Sequence, residues 1–466
     1  MTKPIALTNS SQRVPLSVTK FKLTTPKLLK VGVYATWGAS LLLLVTTISS
    51  VQGQRNAFQT IGKDSAPSIL NAQRIKDSLA DLDANAANEL LVKSGENPQA
   101  VKGYNDRREK LATLLVNAAN NITYGDEERQ PIETIIAGLN EYVQKIQQAR
   151  DANASGDTTA LLAAYREATK IIDDRLLPAA DALDKVNSNK LEDTYARERF
   201  AAGRSLFLTV MSGFLLIGIL VGIQLFLNYR MRRVFNPMLL AATAIATIFL
   251  GYTSTTLLTA SEHLRGAKED AFVSLYALRQ ARASAYIANG SESRYLLDKT
   301  YAAKHQKTFF NYTGKIASIS NPDTFETVAT AAADGKEVPG FTGFLANELN
   351  NITFEGEREA AVEMLRKFGV YINLDKQIRQ LEQSGNHAAA IALCTGYEKG
   401  QSNWAFEELK KAHDEVLYIN EHAFKNAIAE GFTDLKNYEV ISSIAVVSIA
   451  LFTLLGLLPR MKEYEI

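Results

Sequence analysis

The chain has 466 residues, 46% of them hydrophobic, and its 51 basic and 50 acidic residues leave a net charge of +1. This balance gives no electrostatic reason to expect a nucleic-acid partner. The mean hydropathy of −0.09 is low for a polytopic transporter, so most of the chain is expected to be polar. The single cysteine, Cys394, excludes an intramolecular disulfide and a thiolate zinc site.

Four uncharged runs predict transmembrane helices, because about 20 apolar residues are enough to cross the hydrocarbon core of a bilayer. The runs contain no Asp, Glu, Lys, Arg or His. Ion and proton pathways usually need such groups, so we do not expect a secondary transporter. The predicted transmembrane helices cover residues 31–54, 205–229, 238–261 and 440–459.

Basic residues predict the orientation in the membrane. The N-terminal tail, residues 1–30, contains Lys and Arg but no acid, and the short loop 230–237 contains three arginines and no acid. The positive-inside rule places both of them in the cytoplasm, together with the C-terminal tail 460–466. Residues 55–204 and 262–438 are then predicted to form two extracytoplasmic domains.

Helical periodicity in the first of these domains predicts four antiparallel helices. Apolar residues recur at spacings of three and four from residue 55 to 91, where Pro67 is expected to kink or divide the first helix. Turn signals near residues 94–98, 121–125 and 155–157 separate three further helices. No segment alternates with period two, so we predict an up-down four-helix bundle.

The second domain repeats the first. Leu115–Tyr124 reads LVNAANNITY and Leu345–Phe354 reads LANELNNITF, and the first helices align Arg74 with Arg279. The offset is 205 at the arginines but 230 within the repeated motif, so an insertion of about 25 residues is expected within Ser318–Gly340. We therefore predict an all-α membrane protein with four transmembrane helices and two tandem four-helix bundles from an internal duplication.

The sequence contains no catalytic motif that would support an enzyme. There is no phosphate-binding glycine loop, nucleophile elbow or kinase signature. The five histidines lack the spacing of metal ligands, and we interpret them as solvated surface residues. We predict a non-enzymatic protein without catalytic residues, cofactor or metal.

Two arginines are candidate ligand-binding residues. Arg74 and Arg279 occupy equivalent places on the first helix of each predicted bundle. An arginine on an inner or interface face could bind a carboxylate through two hydrogen bonds. The alternative is an exposed arginine that pairs with a neighbouring acid such as Asp77.

Two further groups of residues have a structural and a functional interpretation. The repeated Asn-Asn-Ile-Thr elements are expected to end one helix and cap the next, or to contact a partner. The arginine loop is expected to set topology, or to contact a cytoplasmic protein. The residues concerned are Asn121, Thr123, Asn351 and Thr353 in the repeated elements, and Arg230, Arg232 and Arg233 in the loop.

The succession of span, four-helix bundle and span resembles the sensory ectodomains of bacterial chemoreceptors and sensor kinases. The Arg-x-Arg-Arg-x-Phe-Asn-Pro linker between two such units is similar to that of four-span tandem-bundle proteins of actinobacteria and cyanobacteria. Among them is the glutamine-sensing component that links an extracytoplasmic solute-binding protein to a soluble Ser/Thr kinase. The resemblance implies a bacterial cytoplasmic membrane, although another internal membrane stays open.

These observations favour a sensor or signal-relay protein whose bundles bind a ligand or a solute-binding protein and signal to a cytoplasmic partner such as a Ser/Thr kinase. The lipid bilayer is an expected partner, a homodimer is possible in this class, and no nucleic acid is expected. A structural scaffold or assembly factor for other membrane proteins is the alternative, and a transporter accessory subunit is a third hypothesis.

Overall fold

The computed structural model describes residues 24–231, 236–320 and 324–463, and within these ranges the fold is all-helical. The β-structure of the described residues is limited to one isolated antiparallel bridge between Ser318 and Thr342. The helices are α1 (Thr25–Ala57), α2 (Ala66–Leu90), α3 (Pro98–Asn120), α4 (Asp126–Ser155), α5 (Thr158–Ile171), α6 (Leu177–Met231), α7 (Pro237–Arg265), α8 (Val273–Leu297), α9 (Ala302–Ile316), α10 (Phe325–Ala333), α11 (Phe344–Asn350), α12 (Glu357–Gln383), α13 (His387–Thr395), α14 (Ser402–Asp434) and α15 (Tyr438–Lys462).

Four long helical stretches of the described chain are apolar enough and long enough to cross a membrane. This confirms the prediction of four apolar helices. Each stretch continues well beyond its apolar part; the stretches are Thr25–Leu90, Thr158–Arg230, Pro237–Leu297 and Ser402–Lys462. The first shows no interruption at Pro67. A π-helical segment, Phe58–Ser65, precedes this proline, which is the second residue of α2.

The described residues divide into two compact units. The apolar unit contains the residues up to Ile48, from Phe207 to Thr253, and from Tyr438 onward. The polar unit contains Ser49–Leu206 together with Ser254–Asn437. Both halves of the sequence outside the apolar helices therefore lie in one unit.

Hydrogen bonds join helices within the apolar unit. Gln224 donates to Thr243 Oγ1 at 2.8 Å, and the Tyr438 hydroxyl lies 2.8 Å from Thr253 Oγ1. The Trp37 indole donates to the carbonyl of Ala450 at 3.2 Å. In a lipid bilayer the hydrophobic effect does not drive helices together, so hydrogen bonds between side chains contribute to helix association.

Helices α2 and α8 lie side by side in the polar unit and run parallel. Lys76 approaches Gln280 at 3.4 Å, and further along both helices Asn88 donates to Asn289 at 3.2 Å. Residue numbers of the contact partners thus rise together along the two helices, as they do only when helices run parallel. Residues at equivalent positions in the two halves consequently lie at similar heights.

The close approach of α2 and α8 depends on small residues. A Cβ atom added at Gly290 would lie 3.3 Å from the backbone Cα of Ala84. Helix α2 is buried on nearly all sides, and its buried residues include Asp77, Asp81 and Asp83. Periodicity alone would place these acids on a solvent face, so the contact with α8 could not be predicted from it.

Gly290→Leu is expected to destabilise the polar unit by about 1–3 kcal/mol, because its branched side chain cannot fit against the α2 backbone. Urea unfolding of the full chain in micelles, followed by circular dichroism, measures this. The matched control is Gly314→Leu on α9, where no atom lies within 4 Å of the added Cβ. Equal stability of the two variants would contradict the proposed importance of this contact.

The second half differs from the first where the insertion is predicted. Helix α9 ends at Ile316 and α11 begins at Phe344, with the short helix α10 between them. The bridge between Ser318 and Thr342 brings the two ends of this segment together. The second half also contains a break between α13 and α14, whereas α5 continues through a π-helical segment, Ile172–Leu176, into α6.

Candidate functional site

The two predicted arginines converge on one carboxylate. Arg74 Nη2 lies 2.9 Å and Arg279 Nη2 lies 3.0 Å from the same Oε1 atom of Glu421 in α14. Burial of Glu421 favours a raised pKa, but the two guanidiniums outweigh it and hold the pKa below its usual value. This acid stabilises two neighbouring positive charges in the packed unit.

The two arginines differ in exposure and in their second contacts. Arg279 is 11% exposed and also approaches Asp77 at 3.4 Å. Arg74 is 37% exposed, and its side chain lines a cavity in the first half. The neighbouring acid considered for Arg74, Asp77, thus pairs with Arg279 across the two halves. Of the two arginines, only Arg74 lines that cavity.

The repeated Asn-Asn-Ile-Thr elements adopt the same local structure in both halves. Asn121 and Asn351 follow the last residues of α3 and α11, so each element ends one helix as predicted. Their side-chain amides donate to serine hydroxyls on the preceding first helix, Asn121 to Ser68 at 2.6 Å and Asn351 to Ser274 at 2.9 Å. The asparagines therefore connect the end of α3 to α2 and the end of α11 to α8 by hydrogen bonds.

The backbone amides after these asparagines are capped by glutamates that sequence reasoning missed. Glu128 Oε2 accepts hydrogen bonds from the amides of Thr123 at 2.6 Å and Tyr124 at 2.7 Å. In the second half, Glu357 Oε2 accepts from Thr353 at 2.8 Å and Phe354 at 3.0 Å. The prediction that these elements also cap the next helix through Thr and Asn oxygens is wrong, because Gly125 and Gly356 precede α4 and α12 and make no side-chain cap. The threonine hydroxyls donate to the asparagine carbonyls.

A polar cavity of about 280 Å³ opens beside these groups in the first half. Glu128 and Asn187 line it and are both buried, and Asn187 Oδ1 has no hydrogen-bond partner. The Asn187 side-chain amide donates to the Leu183 carbonyl at 3.0 Å, which fixes its position on α6. The other lining residues are Pro67, Ser68, Asn71, Ala72, Arg74, Asn117, Ala118, Asn121, Ile132 and Leu183.

The second half has the same arrangement of a capping glutamate and an asparagine, with the side chain of Glu348 added to it. Asn420 donates to the Val416 carbonyl at 3.2 Å, as Asn187 does to Leu183, and also to Glu357 Oε1 at 2.7 Å. Glu348 stands where the aligned first half has Ala118, and it is fully buried. Its Oε1 accepts from Asn420 at 3.3 Å.

A buried charged cluster joins the two halves further along α2 and α8. Arg294 of α8 pairs with Asp83 of α2 and donates through Nε to the Tyr165 hydroxyl at 3.1 Å. The Tyr142 hydroxyl donates to Asp83 at 3.1 Å. These contacts were not predicted, since partners 59 to 211 residues apart leave no local signal.

Only one of the three loop arginines that were predicted to contact a cytoplasmic protein lies within the described residues. Arg230 is exposed at the end of α6, whereas Arg232 and Arg233 lie outside the described residues. Asn236, which follows them, accepts from the amides of Met238 and Leu239 and so caps the start of α7.

The prediction that all the histidines are solvated surface residues is wrong, because two of them are buried. His413 is 3% exposed, and its Nε2 lies 2.8 Å from the Leu278 carbonyl oxygen. Burial and then the neighbouring Arg282 lower its pKa to about 3. His305 is also buried. Within the described ranges, no group of three or more His, Cys, Asp or Glu residues is arranged to hold a metal ion.

Comparison with known proteins identifies one family similarity. The actinobacterial sensor domain matches residues 57–196 of this chain. All the residues that line the cavity lie within this range. With the four apolar helices, the match suggests a bacterial membrane sensor. Comparisons with curated proteins and with solved structures return no match.

Proposed function

We propose that the chain is a non-enzymatic transmembrane sensor whose first half binds a ligand in the cavity beside Arg74 and Asn121. One observation carries this proposal: a polar cavity with a buried, unpartnered asparagine oxygen lies inside the segment that resembles a sensor domain. Ligand pockets typically combine a concavity with a few convergent polar groups. The sensory role rests on this coincidence of cavity and family similarity.

The relay would follow from two packings of the polar unit. A ligand shifts such an equilibrium only by the difference between its affinities for the two states. The cavity contacts α2, α3, α4 and α6 through its lining residues, and α6 continues into an apolar stretch. A ligand that draws these helices together would therefore act on a helix that is predicted to enter the membrane.

The partners and the orientation complete this proposal. We place residues 55–204 and 262–438 outside the cytoplasm of a bacterial cell, and the termini and the loop 230–237 inside. An extracytoplasmic solute-binding protein would bind the polar unit, and a soluble Ser/Thr kinase would bind near Arg230. The tandem duplication of one bundle explains the repeated capping geometry.

In-cell photo-crosslinking of the full chain tests this proposal. Crosslinkers replace Val116, which is 58% exposed, Tyr418, which is 59% exposed, and Arg230. We expect a solute-binding protein at the first two sites and a soluble kinase at the third. Recovery of integral membrane complexes alone would refute the relay and favour the scaffold.

Arg74→Gln and Arg279→Gln form a matched pair of variants. Arg74→Gln is expected to change stability by at most about 1 kcal/mol, since its ion pair is partly exposed, but to abolish the ligand-dependent change in crosslinking. Arg279→Gln is expected to cost about 2–3 kcal/mol, because it leaves Asp77 buried and unpaired. Urea unfolding and crosslinking of both variants measure this. A ligand response that survives Arg74→Gln would remove Arg74 from the site.

A further inference from the structure

The first-half cavity is lined by two buried side-chain oxygens that receive no hydrogen bond. Glu128 is 3% exposed and Asn187 is 2% exposed, and both residues line the cavity. Glu128 Oε2 accepts two backbone amides, whereas Glu128 Oε1 accepts none from the described residues. Asn187 Oδ1 also has no partner, although Nδ2 of the same side chain donates to the Leu183 carbonyl. Buried acceptors normally receive hydrogen bonds, so a group in the cavity is expected to donate to these two atoms.

The second half supplies a donor to the corresponding glutamate oxygen from its own chain. Asn420 Nδ2 donates to Glu357 Oε1 at 2.7 Å, whereas Asn187 makes no such bond to Glu128. Asn420 Oδ1 has no partner, as Asn187 Oδ1 has none, so the two halves differ at the glutamate oxygen. The donor to Glu128 Oε1 is therefore expected to belong to a molecule in the cavity.

The charges around the cavity favour a cation. Glu128 forms no ion pair with the part of the chain that the structure describes, and the other charged residue of the lining is Arg74. Arg74 and Arg279 share Glu421, and Asp77 lies 3.4 Å from Arg279, so two positive charges meet two negative ones. The negative charge of Glu128 remains without a counter-ion. A buried carboxylate without a counter-ion is unfavourable, and a cationic ligand would stabilise it.

We propose that the first-half cavity binds a small molecule through a primary ammonium group, which donates to Glu128 Oε1 and to Asn187 Oδ1. An ammonium group has three N–H donors and no acceptor, so it suits a site whose two unpartnered buried atoms are both acceptors. The cavity of about 280 Å³ is small for a ligand pocket, which favours a small amine. This inference rests on the proposed function, since it names the ligand class of the same cavity.

Ethylammonium is a suitable probe, and ethanol is its uncharged counterpart of similar size. Saturation-transfer NMR titrations on the full chain in micelles measure their binding. We expect ethylammonium to bind the native chain, and Glu128→Gln to weaken this binding by about tenfold or more, because the variant removes the negative charge and one acceptor. A glutamine oxygen can still accept the two backbone amides. Glu357→Gln is the matched control in the second half, where the glutamate oxygen already has a donor, and it should leave the binding unchanged.

Several outcomes decide the proposal. Binding that is unchanged in Glu128→Gln, an equal loss in Glu357→Gln, or ethanol that binds as tightly as ethylammonium would overturn it. A native chain that does not bind ethylammonium would also overturn it, with water as the occupant of the cavity. Asn187→Leu removes the second acceptor and leaves the capping contacts of Glu128 in place, so it should weaken binding even if Glu128→Gln fails to fold.

The result is separable from that of the crosslinking experiment. Probe binding is measured without any partner protein, whereas crosslinking reports partners without any probe. Failure of ethylammonium to bind with intact crosslinks overturns the ligand class and leaves the sensor role. Probe binding without soluble partners overturns the relay and leaves the binding site.

Discussion

Asp83→Ala is expected to lower the free energy of unfolding of the polar unit by about 3–5 kcal/mol, because it leaves the Arg294 guanidinium buried without its main partner. Arg294 is 4% exposed and Asp83 is 7% exposed, so water cannot replace the lost carboxylate. The Tyr142 hydroxyl would lose its acceptor at the same time. Urea unfolding of the full chain in micelles gives the free-energy change.

Two further variants make this prediction specific. The double variant Asp83→Leu with Arg294→Met is expected to be more stable than either single variant, since apolar side chains can replace a buried ion pair. Asp106→Ala breaks a pair with Lys102 in which both side chains are more than half exposed. It is expected to change stability by less than about 1 kcal/mol. A loss of similar size for Asp83→Ala and Asp106→Ala would show that burial does not govern these pairs.

Glu348→Gln is expected to remove part of the pH dependence of stability. The raised pKa of Glu348 means that the folded chain holds a proton that an unfolded glutamate releases near pH 4.3. This contribution is therefore fully present below that pH and is lost as the pH rises towards the folded pKa. The loss amounts to about 1.4 kcal/mol for each pH unit between the two pKa values.

A glutamine at position 348 takes up no proton, so the variant should gain stability relative to the native chain as the pH rises from 5 to 8. Unfolding midpoints in urea across this range measure the difference. The exposed Glu355 provides the control Glu355→Gln, which is expected to leave the pH dependence unchanged. An identical pH dependence of Glu348→Gln and the native chain would show that Glu348 is ionised in the folded protein.

Local signals in the sequence predicted the helices well. The turn residues around Asn121 and Gly156 end α3 and α4 where expected, and the four apolar runs are helical throughout. These features depend on neighbours within a few residues, such as glycine at a positive φ of 76° after α4. These two helix ends could therefore be found without knowledge of the tertiary fold.

The site could be predicted only in part, because its residues meet across long separations. Arg74 and Asn121 were identified from the repeat, and both line the cavity. Glu421, which joins the two arginines, lies 347 residues from Arg74 and has no local signature. Glu128 could have been found, since an acid follows the repeated Asn-Asn-Ile-Thr element in both halves.

The parallel pairing of α2 and α8 within one polypeptide has a consequence for how the protein responds to its abundance. Two separate subunits that met through such an interface would associate only above a threshold concentration. Here the connecting chain holds the partners at a high effective concentration, so the interface forms at any level of expression. Its occupancy is then independent of copy number, and each half is free to acquire residues that its counterpart lacks, as Glu348 illustrates.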